Sequence, residues 1–170
     1  MSLAALLTPD WQVDLTLAEL PLEGLLARPV RALVLDVDRT LLPRRQATLP
    51  ASAGRWLQSA LSRVPVHLLS NNPSRRRIGA VAAPLGIPFT TSAGKPRRGA
   101  LRQVLDQLGL PASDVALIGD RVFTDVLAGN RLGLFTVLVR PIDPNGRACH
   151  HDRLQRWEIG LARLLGGSLA

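Results

Sequence analysis

One cysteine, one lysine and no tyrosine occur in this 170-residue sequence. Cys149 has no partner for an internal disulfide, which fits a reducing compartment and a cytoplasmic location. No apolar run approaches the roughly 18 to 20 residues that a membrane-spanning helix needs. The start "MSLAALLTPDWQ" has no basic flank and no small-residue cleavage site, so a signal peptide is not expected. Repeats, low-complexity tracts and Gly/Ser linkers are absent, and nothing marks a domain boundary. Residues 1–170 therefore read as a single domain with one core, in which residues 1–30 form a broken helical extension packed outside a sheet.

The net charge is +8, with 21 Lys and Arg against 13 Asp and Glu. Such a balance raises the question of nucleic acid or an anionic membrane surface. With no Tyr, three Phe and three Trp, the chain has no base-stacking pattern, and nucleic acid is not an expected partner. Arginine supplies all but one of the basic residues, a bias of composition that leaves Lys95 conspicuous. A site that needs a compact ammonium instead of a planar fork would explain it.

Apolar stretches of strand length alternate with helical patterns. Strands are expected at Ala32–Asp36, Val66–Ser70, Val115–Gly119 and Leu134–Val139, with a weaker one at Ile87–Thr90. Helices are expected at Ala51–Arg63, Ser74–Leu85, Pro96–Leu108, Asp125–Leu132 and Arg153–Leu165, with Asn72 as an N-cap and Pro73 and Pro96 in first-turn positions. This alternation implies an α/β fold, a parallel sheet flanked by helices, whose ligand crevice lies at the carboxyl ends of the strands.

Four polar clusters follow those strands or open a helix: Asp36, Asp38 and Thr40; Ser70, Asn71 and Asn72; Lys95; and Asp120 with Asp125 in "IGDRVFTD". Strand carboxyl ends share one edge, so these clusters can converge. Carboxylates meeting in one small volume repel unless a divalent cation neutralises them, and hard oxygen ligands suit Mg²⁺. "CHHD", Cys149 to Asp152, lacks a second cluster at zinc spacing and reads as a loop or helix start.

The order DxDxT, S-N, K, GDxxxxD resembles the four motifs of the haloacid dehalogenase (HAD) superfamily of aspartate-nucleophile phosphatases. "LLSNNP", "GKPRRGAL" and "GDRVFTDVLAGNRLG" followed by "TVLVRPI" are similar to its YqeG-type branch, which contains phosphatidylglycerophosphate phosphatases. The resemblance implies a Rossmann-like sheet and an Mg²⁺-dependent phosphomonoesterase acting through an aspartyl-phosphate. It implies Asp36 as nucleophile, Asp38 as acid and base, and Lys95 as the neutralising cation. Thr40, Ser70 and Asn71 would serve the phosphate; Asp36, the Asp38 backbone carbonyl and Asp120 would hold the metal, with Asp125 as a supporting or water-mediated ligand.

Its substrate would be phosphatidylglycerophosphate in phospholipid biosynthesis. The alternatives are a soluble phosphometabolite, a phosphoprotein, or a receiver-like phosphorylation switch, against which Asp38 argues. Asp125 could instead cap the following helix. Arg39 and Arg121 depart from the branch, which usually shows Asn and Gln there. The gaps between motifs are too short for a cap domain, so the site should be open to a phosphate on a large carrier. Nine arginines near the site loops, Arg75, Arg76 and Arg77 among them, suggest peripheral contact with an anionic membrane.

Overall fold

In the computed structural model, which describes residues 1–170, six strands form one sheet in the order β1-β6-β5-β2-β3-β4. They are β1 (Trp11–Gln12), β2 (Ala32–Leu35), β3 (Val66–Leu69), β4 (Phe89–Thr90), β5 (Val115–Gly119) and β6 (Phe135–Leu138), and every pairing is parallel. The helices are α1 (Leu3–Leu6), α2 (Leu22–Leu26), α3 (Ala51–Leu61), α4 (Arg75–Ala82), α5 (Gly99–Leu108), α6 (Leu127–Asn130) and α7 (Arg153–Leu164).

The central strands are buried on both faces, and the two-residue period of a strand divides their side chains between two cores. Leu33 and Leu35 of β2 and Ala116 and Ile118 of β5 pack with Trp56, Leu57 and Ala60 of α3 and Ile78 of α4. Ala32 and Val34, with Val115 and Leu117, face the other way onto Leu101 and Val104 of α5 and Ala128 of α6. A smaller cluster joins Leu7, Val122, Val126, Leu138 and Ala162, fastening α7 to the β5–β6 end of the sheet. No helix is long and apolar enough to cross a membrane.

Three expectations need correction. Residues 1–30 are not purely helical: Trp11 and Gln12 pair with Val137 and Leu138, so the segment adds an edge strand to the sheet. Helix α4 starts later than expected. Ser74 is its N-cap, accepting from the Arg77 amide at 3.3 Å, while Asn72 Oδ1 accepts from the Ser74 amide in a turn upstream. Pro96 likewise precedes α5, whose first residue is Gly99.

Candidate active site

The register aligns Leu35 of β2 with Ile118 of β5 and with Leu68 of β3. Asp36 therefore leaves its strand level with the end of β5 that carries Asp120 and the end of β3 that carries Ser70. Asp36, Asp38, Ser70, Asn71, Lys95 and Asp120 all line one cavity of about 340 Å³ at this edge. Thr124 and Leu154 line it too, as do Arg39, Arg44, Arg45 and Arg121. A larger hollow of about 500 Å³ lies between β1, β6 and α7 and contains none of the expected site residues.

Lys95, 5% exposed, occupies the centre. Its ammonium donates to Asp36 Oδ1 at 2.6 Å, Asp125 Oδ1 at 2.6 Å and the Leu69 carbonyl at 3.1 Å, which uses all three of its protons. Burial works against its charge, yet the two carboxylates outweigh burial and hold its pKa above the ordinary lysine value. Asn71 fixes the Lys95 backbone from both sides, accepting from its amide at 2.7 Å and donating to its carbonyl at 3.0 Å. The Asn71 side chain is thus engaged with Lys95 as well as bordering the cavity.

Asp36, Asp120 and Asp125 are all buried, and each offers a carboxylate oxygen within 4.8 Å of the others'. Burial, opposed by Lys95 and reinforced by Asp125, lifts the Asp36 pKa to about 6. Burial also raises Asp120 well above the ordinary carboxylate value, with Asp36 and Asp125 adding to it. Asp120 Oδ2 has no hydrogen-bond partner. A divalent cation fits this set: three convergent hard oxygens, one of them unpartnered, in a volume that favours protons until some other cation enters. The Asp38 carboxylate lies outside the three. It accepts from Arg77 Nη1 at 2.6 Å and from Ser70 Oγ at 3.2 Å. Thr40 is 1% exposed beneath the loop, its hydroxyl without a hydrogen-bond partner, and is not among the cavity-lining residues.

The chain brings Asp125 to this point by two local devices. A π-helical turn, Val122–Val126, replaces the helix start expected at Asp125 and carries its side chain back to the strand end, where Oδ2 accepts from the Arg121 amide at 3.1 Å. Gly119 makes room, because a Cβ there would lie 2.7 Å from the Asp125 Cβ and closer still to its carboxylate. Asp125 is therefore no N-cap at the start of α6.

Four further residues hold the site. Arg77 binds Asp38 and also donates to the carbonyls of Gln46 and Pro43, pinning the loop after β2. Arg39, at φ 69°, lies 3.6 Å from Asp120 Oδ2 and 2.5 Å from Asp152 Oδ2, the latter without hydrogen-bond alignment. Arg39 thus holds a left-handed backbone, which side chains other than Asn and Asp enter only rarely. From α7, Gln155 donates to the Asp120 carbonyl at 2.8 Å, and buried Glu158 accepts from Arg121 and from the Val122 amide at 2.9 Å. The polar pair Gln155 and Glu158, three apart on one helix face, was the only sequence signal for this support.

The chain is 35% identical over 121 residues to the probable phosphatase YqeG of Bacillus subtilis, covering 71% of this chain and 70% of that protein. It belongs to the HAD superfamily, in the YqeG-type phosphatase branch. A family profile described as HAD-hydrolase-like matches residues 92–141 of this HAD phosphatase, the stretch that holds Lys95 and Asp120 to Asp125. It is also 33% identical over 112 residues to phosphatidylglycerophosphate phosphatase 1, chloroplastic, of Chlamydomonas reinhardtii, covering 66% of this chain and 40% of that one. Among solved structures, a subfamily III A HAD hydrolase from Legionella pneumophila superposes with TM-score 0.52 at 17% identity, covering 82% of this chain and 87% of the other. The deoxy-D-mannose-octulosonate 8-phosphate phosphatase of Haemophilus influenzae gives 0.55 at 19%, covering 71% and 73%. Both share the HAD fold.

Proposed function

We propose that this HAD phosphatase is an Mg²⁺-dependent phosphomonoesterase that works through an aspartyl-phosphate at Asp36 and hydrolyses phosphatidylglycerophosphate. The observation that carries the chemistry is the buried set of Asp36, Asp120 and Asp125, three carboxylates with the single ammonium of Lys95 between two of them. Mg²⁺ held by these carboxylates would supply the charge that offsets the transferring phosphoryl group and the anions around it.

The protein's own groups would divide the remaining work. Lys95 engages Asp36 Oδ1 and leaves Oδ2 without a hydrogen-bond partner, free to attack phosphorus. As the Asp36 oxygen–phosphorus bond forms, the bond to the leaving oxygen breaks and Asp38 gives that alkoxide its proton. Asp38, now a carboxylate, takes a proton from the water that attacks the aspartyl-phosphate, which releases inorganic phosphate and restores Asp36. Ser70 and Arg77 would aim Asp38 through both steps, and Asn71 would keep Lys95 in place. Thr40 would act beneath the loop, as a brace for it.

The lipid substrate rests on the relatives' names and on two arginines. Of the cavity's four, Arg39 and Arg121 are ion-paired, whereas Arg44 and Arg45 are exposed and make no ion pair. They would meet the second anionic group of phosphatidylglycerophosphate, its phosphodiester. A phosphate-release panel tests the proposal, with phosphatidylglycerophosphate in mixed micelles beside soluble phosphomonoesters. The lipid should be hydrolysed with the highest kcat/KM, in a manner dependent on Mg²⁺. Faster turnover of a soluble phosphometabolite would replace the lipid assignment, and no release from any phosphomonoester would overturn the proposal.

A further inference from the structure

Helix α7 packs Ala162 and Ile159 onto the sheet, as an amphipathic helix does, but it also buries two polar side chains and leaves large apolar ones outside. Its inward side carries polar Gln155 and Glu158, 4% and 1% exposed, and its outward side carries Leu154, Trp157 and Leu164, 38%, 63% and 86% exposed. A surface helix normally turns such residues the other way round. The inward pair is explained by its grip on the loop that bears Asp120. Nothing inside the fold explains the outward apolar residues. Leu165, just past the helix, is also exposed, and α1 lies against the same end, since a Cβ at Gly166 would sit 3.4 Å from the Ala4 Cβ. Around α1, Met1 and Leu3 point to solvent as well. Six of the seven exposed large apolar side chains thus fall on α7, its cap and the α1 segment, Leu15 being the seventh. Scattered apolar residues are ordinary on a protein surface, but a concentration of this kind marks an interaction face.

The charge around the face selects its partner. Arg153, Arg156 and Arg163 are exposed on α7, while the helix's one carboxylate, Glu158, is buried and paired with Arg121. Trp and Leu flanked by arginines, with no exposed acid on the helix, match the interface of an anionic bilayer, where the rings and alkyl groups enter the headgroup layer and the guanidinium groups meet phosphates. Leu154 both begins this face and lines the catalytic cavity, so the face starts at the mouth of the site.

We infer that the outward face of α7, with α1 beside it, docks on an anionic lipid surface and presents the cavity mouth to phosphate headgroups. The inference rests on the lipid-phosphate reading above for its consequence, and on the α7 surface for its geometry.

Flotation with vesicles of phosphatidylcholine alone, or of phosphatidylcholine mixed with phosphatidylglycerol, tests it on the full chain. The protein should float with the mixed vesicles, release as salt rises, and ignore phosphatidylcholine. A Trp157→Gln/Leu164→Gln variant should lose roughly tenfold or more of that binding. Because both side chains are exposed and outside the cavity, the variant should keep its turnover of para-nitrophenyl phosphate, which also reports that it folds. Wild-type protein that ignores mixed vesicles, or a variant that floats as well as wild type, overturns the inference. A dimer in sedimentation velocity, abolished by the double substitution and unaccompanied by flotation, gives the face to a second copy of this chain and overturns it too. Intact flotation without hydrolysis of any phosphomonoester would strike the phosphatase reading and leave the docking face standing.

Discussion

Arg77 Nη1 lies 2.6 Å from Asp38 Oδ1, across 39 residues of sequence. The same guanidinium donates to the Gln46 and Pro43 carbonyls at 2.6 and 3.1 Å, so one side chain sets both the orientation of Asp38 and the path of the loop that carries Arg44 and Arg45. Arg77→Ala should lower kcat about tenfold with a smaller change in KM and expose the 43–46 loop to proteolysis. Arg77→Lys, which keeps the charge but loses the fork, should fall between. Steady-state kinetics with limited proteolysis checks this, and wild-type kcat in both variants would remove Arg77 from the site.

Lys95 has no spare proton and no spare room. Lys95→Arg should cost about tenfold or more in kcat, roughly 1.4 kcal/mol in the barrier, because a planar group cannot reach Asp36, Asp125 and the Leu69 carbonyl together. Lys95→Met leaves buried carboxylates uncompensated and should destabilise the fold by about 3 to 5 kcal/mol. Denaturant unfolding measures the second effect, and unchanged stability would contradict the burial argument.

Gly119→Ala pushes a methyl group into the Asp125 carboxylate. The overpacking should cost about 1 to 3 kcal/mol and displace Asp125, so the rise in Tm produced by Mg²⁺ should shrink along with kcat. A full Mg²⁺ response in that variant would show that Asp125 is not needed by the cation.

The raised pKa values of Asp36 and Asp120 predict how stability varies with pH. Each binds more protons folded than unfolded, since an unfolded aspartate titrates near 4. Their contribution to stability is therefore lost as pH rises from about 4 through the folded value of about 6 for Asp36, a shift of about 2 units or about 3 kcal/mol, with Asp120 adding in the same direction. Lys95 stays charged in both states across this window and adds no slope. Mg²⁺ takes the place of those protons, so it should raise Tm clearly at pH about 7.5 and little at pH about 5. Equal shifts at both pH values would contradict the assignment of these carboxylates to the cation.

Much of this site was legible because the strands that carry it are short apolar runs followed at once by the polar residues in question. Asp36 after Leu33–Leu35 and Asp120 after Val115–Gly119 needed only the rule that parallel strands share a carboxyl edge. Trp11–Gln12 was not legible, since two residues without alternation carry no strand period and owe their conformation to pairing with β6. Pro73 and Pro96 suggested helix starts, but Ser74 captures the Arg77 amide and α5 opens at Gly99.

The arginines were read as one rim. The fold separates them: Arg75 lies over the Phe89 ring, Arg77 turns in to Asp38, Arg39 and Arg121 brace the loops, and only Arg44 and Arg45 border the cavity without an ion pair. Such pairings join residues tens of positions apart, and local pattern holds no record of them. The burial of Gln155 and Glu158 in α7 escaped for a related reason. The period of α7 announces an amphipathic helix, and only the position of the Asp120 loop decides which polar side chains turn inward.

The central claim is that Asp36 takes the phosphoryl group. Phosphate release by wild type and Asp36→Asn, at saturating Mg²⁺ and with thermal unfolding of both, tests it most directly. Asp36→Asn keeps the shape of the side chain and removes the nucleophilic oxygen anion, so release should fall to background while the variant remains folded. A folded Asp36→Asn protein with near wild-type kcat would contradict the account.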